Sequence, residues 1–136
     1  MDKTMAKFAL SIVIILVSNL VISCYDCDNS PRVIGTFPRN GSIDVDPLTT
    51  ELSVIFNTQM MDGNWSWVYE DKNSFPATTG KPYYVNNMTR NVLPVKLEEN
   101  KEYVIWINQP AFSNFKDKSG KSVNPYKFTF KTRNID

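Results

Sequence analysis

Cys24 and Cys27 are the only two cysteines of this 136-residue chain, and they stand as Cys-Tyr-Asp-Cys. Two thiols at that interval serve a redox couple, half of a zinc site or a small disulfide. A zinc ribbon needs a second Cys pair or added histidines, and the chain has no histidine and no other cysteine. A thioredoxin-like motif belongs where a strand gives way to a helix in a βαβ pattern, whereas this one follows an apolar leader. The missing histidine also excludes Ser-His-Asp and Cys-His catalysis and removes the commonest metal ligand. Carboxylates come in pairs, Asp44 with Asp46, Glu70 with Asp71 and Glu98 with Glu99. All three pairs fall in turn-forming stretches, where Asp bonds its own backbone, rather than facing each other across a cleft as glycoside hydrolysis requires. Asp117 in "DKSGK" superficially suggests calcium, but Lys116, Lys118 and Lys121 surround it, so a hairpin turn is expected and no metal or other cofactor.

What precedes the cysteines gives them a different meaning. Lys3 and Lys7 open the chain, and an uncharged run of 16 residues follows, Phe8 to Ser23. That is short of the roughly 20 apolar residues a membrane span needs, and it has the basic start and compact apolar core of a secretory signal. Val21-Ile22-Ser23-Cys24 resembles the bacterial lipobox. The resemblance implies cleavage after residue 23 and thioether diacylation of Cys24, with acyl chains such as palmitate anchoring the protein. Each buried methylene contributes about 0.8 kcal/mol to such anchoring. Cys27 is then a leftover thiol with no assigned role. Tyr25 after the cysteine, rather than the aspartate that retains lipoproteins in the inner membrane, favours the outer membrane or cell surface.

The expected organisation is a signal peptide at 1–23, a lipidated tether at 24–31 and one domain at 32–136. Cleavage removes Lys3, Lys7 and Asp2, leaving 13 basic residues of 15 and 13 acidic of 14. A balanced charge offers neither nucleic acid nor anionic lipid an electrostatic footing, so the acyl chains are the expected membrane contact.

Past Pro31 no helical period is visible. Apolar residues alternate instead, broken at short intervals by Gly, Pro, Asn and Asp. About seven strands are expected, in "RVIGTF", "ELSVIF", "NWSWVYE", "KPYYV", "RNVLPVKL", "EYVIWIN" and "YKFTFKT". No crossover helices separate them, so the fold class is all-β, an Ig-like antiparallel β-sandwich. The strands at 52–56 and 102–108 are apolar on both faces and are placed centrally, Pro94 marks an edge or bulge, and Tyr103 after the turn "LEENK" is positioned to pin that turn as a tyrosine corner.

Pro38, Gly41, Val45, the strand Leu52–Phe56 and Met60 or Met61, then Leu97 to Tyr103, Asp117 to Gly120 and Tyr126 to Thr132, follow in an order that resembles the bacterial Ig-like domain first described in surface-layer proteins. The resemblance spans about residues 33 to 132 and implies a sandwich in an extracytoplasmic setting, with no substrate attached.

Aromatic residues are the remaining candidates for function. Trp65, Trp67 and Tyr69 are expected on one strand face, most of them facing the core. Trp106 lies opposite Ile105 and Ile107 and is expected to be the exposed contact residue. These features imply a lipid-anchored, non-catalytic module that binds a protein or has a structural role at the cell envelope. The alternative is a carbohydrate-binding protein that stacks exposed Trp and Tyr rings on sugars, and that alternative requires coplanar, solvent-facing rings.

Overall fold

A computed structural model describes residues 28–136 of the chain. Cys24, Cys27, the leader and the start of the tether lie outside the described residues. The strands are β1 (Val33–Phe37), β2 (Ser42–Val45), β3 (Glu51–Phe56), β4 (Trp67–Tyr69), β5 (Ala77–Thr78), β6 (Tyr83–Val85), β7 (Arg90–Lys96), β8 (Glu102–Ile107) and β9 (Tyr126–Thr132), with one 3-10 turn at Lys72–Ser74. They form two facing sheets. One runs β1-β3-β7-β5 with β6 also on β7, and the other runs β2-β9-β8-β4.

Alternation builds the core directly. Phe128 and Phe130 of β9, Tyr103, Ile105 and Ile107 of β8, and Leu52, Val54 and Phe56 of β3 are all buried. Between them, Lys127 and Lys131 point outward and are exposed. Each such apolar side chain contributes about 1.5–3 kcal/mol when fully buried. The three ion pairs of the described residues, Lys101–Glu98, Lys127–Glu70 and Arg133–Asp46, are solvent-facing, and pairs of that kind contribute about 0–1 kcal/mol each. Apolar packing therefore carries the fold. As expected, β3 and β8 are interior strands of their sheets.

Tyr103 behaves as the sequence predicts. Its hydroxyl accepts the backbone N–H of Glu98 at 2.8 Å. Thr132, at the end of β9, closes the same turn by donating to the Glu98 carbonyl (2.6 Å) and accepting from the Lys101 N–H (2.9 Å). The family-like positions Leu97, Tyr103 and Thr132 thus serve one structural device.

Pro94 has a more specific role than an edge marker. β6 pairs with β7 at Arg90–Val92, and β5 pairs with it at Val95–Lys96. Pro94 falls in the gap between them, so its missing N–H costs no ladder bond. Its carbonyl still accepts from Thr79 at 3.0 Å.

Three expectations need correction. Among the described residues there are nine strands rather than about seven. β2, within a stretch read as turn-rich, pairs parallel with β9, so the sandwich is not wholly antiparallel. Finally, the strand expected across 64–70 is confined to Trp67–Tyr69. β2 and β5 went unseen for a physical reason: β2 buries only Val45 and leaves Ile43 79% exposed, while both residues of β5 are exposed. Backbone pairing holds them, and it leaves no hydrophobic period to read.

Candidate functional site

β4 is the terminal strand of its sheet, paired only with β8 through Trp67↔Ile107, Val68↔Trp106 and Tyr69↔Ile105. Its inner face looks across the open side of the sandwich toward β5 and the β5–β6 connection. Between them lies a groove of about 600 Å³, with Trp65, Trp67, Tyr69 and Phe75 on one wall, Gly80 to Pro82 on the other and Leu93 at the floor. Phe112, 59% exposed, stands at its mouth. A second groove of about 620 Å³ lies beyond Tyr69 and Phe75 and is lined by Lys72, Lys96, Glu98 and Lys101. Both volumes fall within the range typical of ligand sites.

Each wall residue has a local cause. Trp67 is held at its polar end, where Nε1 donates to Asn91 Oδ1 at 2.8 Å. Its ring meets Phe115 edge-on, with centroids 5.9 Å apart at 75°. Tyr69 meets Phe75 in the same manner at 6.3 Å and 68°. Trp65 precedes β4 in a loop tied to β6 by the Tyr84 hydroxyl, which donates to the Asn64 carbonyl at 2.9 Å. Burial, and then the Asp62 charge, pushes that hydroxyl above the ordinary phenol range. Gly80 lies opposite Pro94, where an added Cβ would come within 3.4 Å of the ring.

Asn91 is fully buried, and an indole N–H only donates, so its carbonyl oxygen must face Trp67. That leaves Asn91 Nδ2 buried without a partner among the described residues. An orphan of this kind costs about 1–3 kcal/mol. Asn108 is equally buried but complete. Its Nδ2 donates to the carbonyls of Phe115 (3.0 Å) and Val123 (2.9 Å), and its Oδ1 accepts the Phe115 N–H at 2.9 Å.

Trp65, Trp67 and Tyr69, singled out from the sequence, are brought together at this groove. Trp65 and Trp67 are half-buried, packed at their bases against the core, and Tyr69 is 49% exposed. Trp106 is elsewhere, on the outer face of the β2-β9-β8-β4 sheet. There it is half-buried rather than open: Lys127 Nζ sits 5.8 Å above its ring and Glu70 lies at its Nε1. The sequence reading missed Phe75, Phe112 and Lys81, which lie in or beside short connections without a periodic signal.

The acidic pairs do not converge. Asp46 faces Arg133, Glu70 faces Lys127, Asp71 caps the 3-10 turn, Glu98 faces Lys101, and Glu99 accepts the Ile135 N–H. Of the two grooves only the second contains a carboxylate, that of Glu98. Asp117 is a turn residue as expected: its Oδ1 accepts from the Ser119 N–H, the Ser119 hydroxyl and the Lys121 N–H, while Gly120 takes a φ of +89°.

Two packed sheets, a tyrosine corner and the parallel β2–β9 edge define an Ig-like sandwich. A family model for the bacterial Ig-like domain matches residues 28–132, and the chain belongs to that family. Among solved structures it is similar to the S-layer protein SbsC, at 16% identity and a TM-score of 0.44 over 79% of this chain. A structure of domains 1–6 of the same surface-layer protein gives 18% identity and a TM-score of 0.42, again over 79%. This chain spans 14% of the length of each of those chains. No curated protein matches it significantly.

Proposed function

We propose that this protein is a non-catalytic binding module of the cell envelope, anchored by acyl chains on Cys24 and engaging its partner at the open side of the sandwich. The observation that supports this reading best is the contrast between the aromatic groove and the scattered carboxylates. The molecule invests half-buried Trp and Tyr rings at one edge, whereas neither groove holds more than one acidic side chain. Family membership supports an extracytoplasmic setting, and the lipobox-like Val21-Ile22-Ser23-Cys24 supports the anchor.

The glycan alternative receives less support. Trp65 and Trp67 are half-buried against the core, and Tyr69 lies at 68° to Phe75, so the groove does not present a row of coplanar, solvent-facing rings for a sugar. Intact-mass spectrometry of the chain expressed in a lipoprotein-processing bacterium tests the anchor. The expected product starts at Cys24 and carries diacylglycerol, and Cys24→Ala moves it from the membrane to the soluble fraction. A full-length, unmodified product found in the cytosol overturns the reading.

A further inference from the structure

Resting on the binding-module reading, we propose that β4 is a strand-addition site for an extended peptide whose groove-facing side chains are apolar at its centre and acidic at its ends. The backbone sets the direction. Asn108 N donates to the Ser66 carbonyl at 3.1 Å, and with the unbroken register of β4 on β8 this turns the N–H and C=O of Val68 toward β8. Because these groups alternate along a strand, those of Trp67 and Tyr69 point away from the sheet. No strand among the described residues pairs with that side.

The edges formed by β1 and β2 are blunted and β4 is not. The β1 register shifts between Val33 and Gly35, and the β2 register shifts between Ser42 and Val45. Such irregularities are standard protection against unwanted pairing. β4 is regular, contains only Trp, Val and Tyr, and lies along an apolar groove. An added strand places alternate side chains into that groove while its backbone pairs with Trp67 and Tyr69.

Charge selects the occupant. Lys81 lines the first groove, and Lys72 and Lys96 line the second. None of the three takes part in an ion pair among the described residues, and Lys72 Nζ sits 5.8 Å from the Tyr69 ring centre. This rim favours acidic side chains at the ends of the incoming strand's groove-facing row. It disfavours a second copy of this chain, since edge-to-edge pairing would bring both sets of lysines together.

The test titrates a blocked peptide, Glu-Ser-Val-Ser-Val-Ser-Glu, whose Val and Glu side chains share one face, into the 15N-labelled full chain at pH 7.5, beside a Val/Lys counterpart with Lys in place of each Glu. The Val/Glu peptide is expected to shift the amides of Trp67 and Tyr69 and slow their hydrogen exchange, and to bind at least tenfold tighter than Val/Lys. Tyr69→Pro removes an outward N–H that the β4–β8 ladder does not use. It is expected to weaken binding tenfold or more while near-ultraviolet circular dichroism stays native. Tyr69→Leu, which keeps the N–H, is expected to stay within threefold of wild type. Absence of any shift in β4 at millimolar peptide, equal binding by Val/Lys, or equal binding by the Pro and Leu variants each overturns the proposal. So does a dimer in sedimentation with β4 already protected. None of these results bears on the mass at Cys24, so the two readings fail separately.

Discussion

Two fully buried asparagines, Asn108 and Asn91, divide the molecule into a closed end and an open edge. Asn108 adopts a φ of +63° and uses both amide atoms to lace the 108–123 loop onto the core. Asn91 spends its oxygen on Trp67 and leaves its nitrogen unpartnered. The same side chain at the same depth is thus fully satisfied where the sandwich is closed and half-satisfied where the groove opens. Near the groove, polar groups are arranged to orient an aromatic ring, and the strand beside it keeps its outward backbone groups unpaired. Complete hydrogen bonding and the proposed partner-binding edge are thus separated in space.

That contrast has graded consequences. The largest belongs to Asn108→Ala, which strands the Val123 carbonyl and the Phe115 N–H in the core and puts Ala at a positive φ. A loss of about 3–5 kcal/mol is expected in urea denaturation. Tyr103→Phe removes one hydroxyl from the turn at the closed end and is expected to cost about 0.5–1.5 kcal/mol in the same assay. Asn91→Leu deletes the orphaned amide together with its bond to Trp67. The two effects oppose, so the change is expected to stay within about 1 kcal/mol, while the Trp67 fluorescence spectrum shifts as the indole loses its partner. If Asn91→Leu proved as damaging as Asn108→Ala, the division into two regions would be lost.

The smallest effect is a pH dependence. Asp117 is held below its ordinary 3.8 first by the Ser119 hydroxyl, against partial burial, with help from the amides of Lys121, Ser119 and Gly120. A carboxylate whose folded value is depressed stabilises the fold fully above its unfolded value. It loses that contribution as pH falls through the folded one. Stability is therefore expected to decline below about pH 4, and Asp117→Asn is expected to flatten that acid limb in thermal melts.

The sequence was legible wherever a strand buries alternate residues. β3 and β9 fall where the alternation of Leu52–Phe56 and Tyr126–Phe130 predicts, and Tyr103 found its corner, while β7 lies on the expected stretch but buries Asn91, Val92 and Leu93 in succession. Legibility failed where backbone alone does the holding, as in β2 with Ile43 turned to solvent and in the two-residue β5. At the candidate site the three aromatics around β4 were visible, but the opposite wall was not. Phe75 and Lys81 flank β5, whose placement depends on where β5 and β6 attach to β7 around Pro94, and Phe112 comes from the β8–β9 connection; no local pattern encodes either. Trp106 shows the converse limit: alternation gives its face correctly, yet the Glu70–Lys127 pair that covers it joins separate strands.

Residue-resolved hydrogen exchange on the unliganded chain tests the open edge most directly. The N–H of Val68 bonds to β8, whereas those of Trp67 and Tyr69 face outward, so Val68 should exchange slowly between two fast neighbours, by a factor on the order of 100. Equal protection of all three amides would mean that β4 is already covered and would contradict the account.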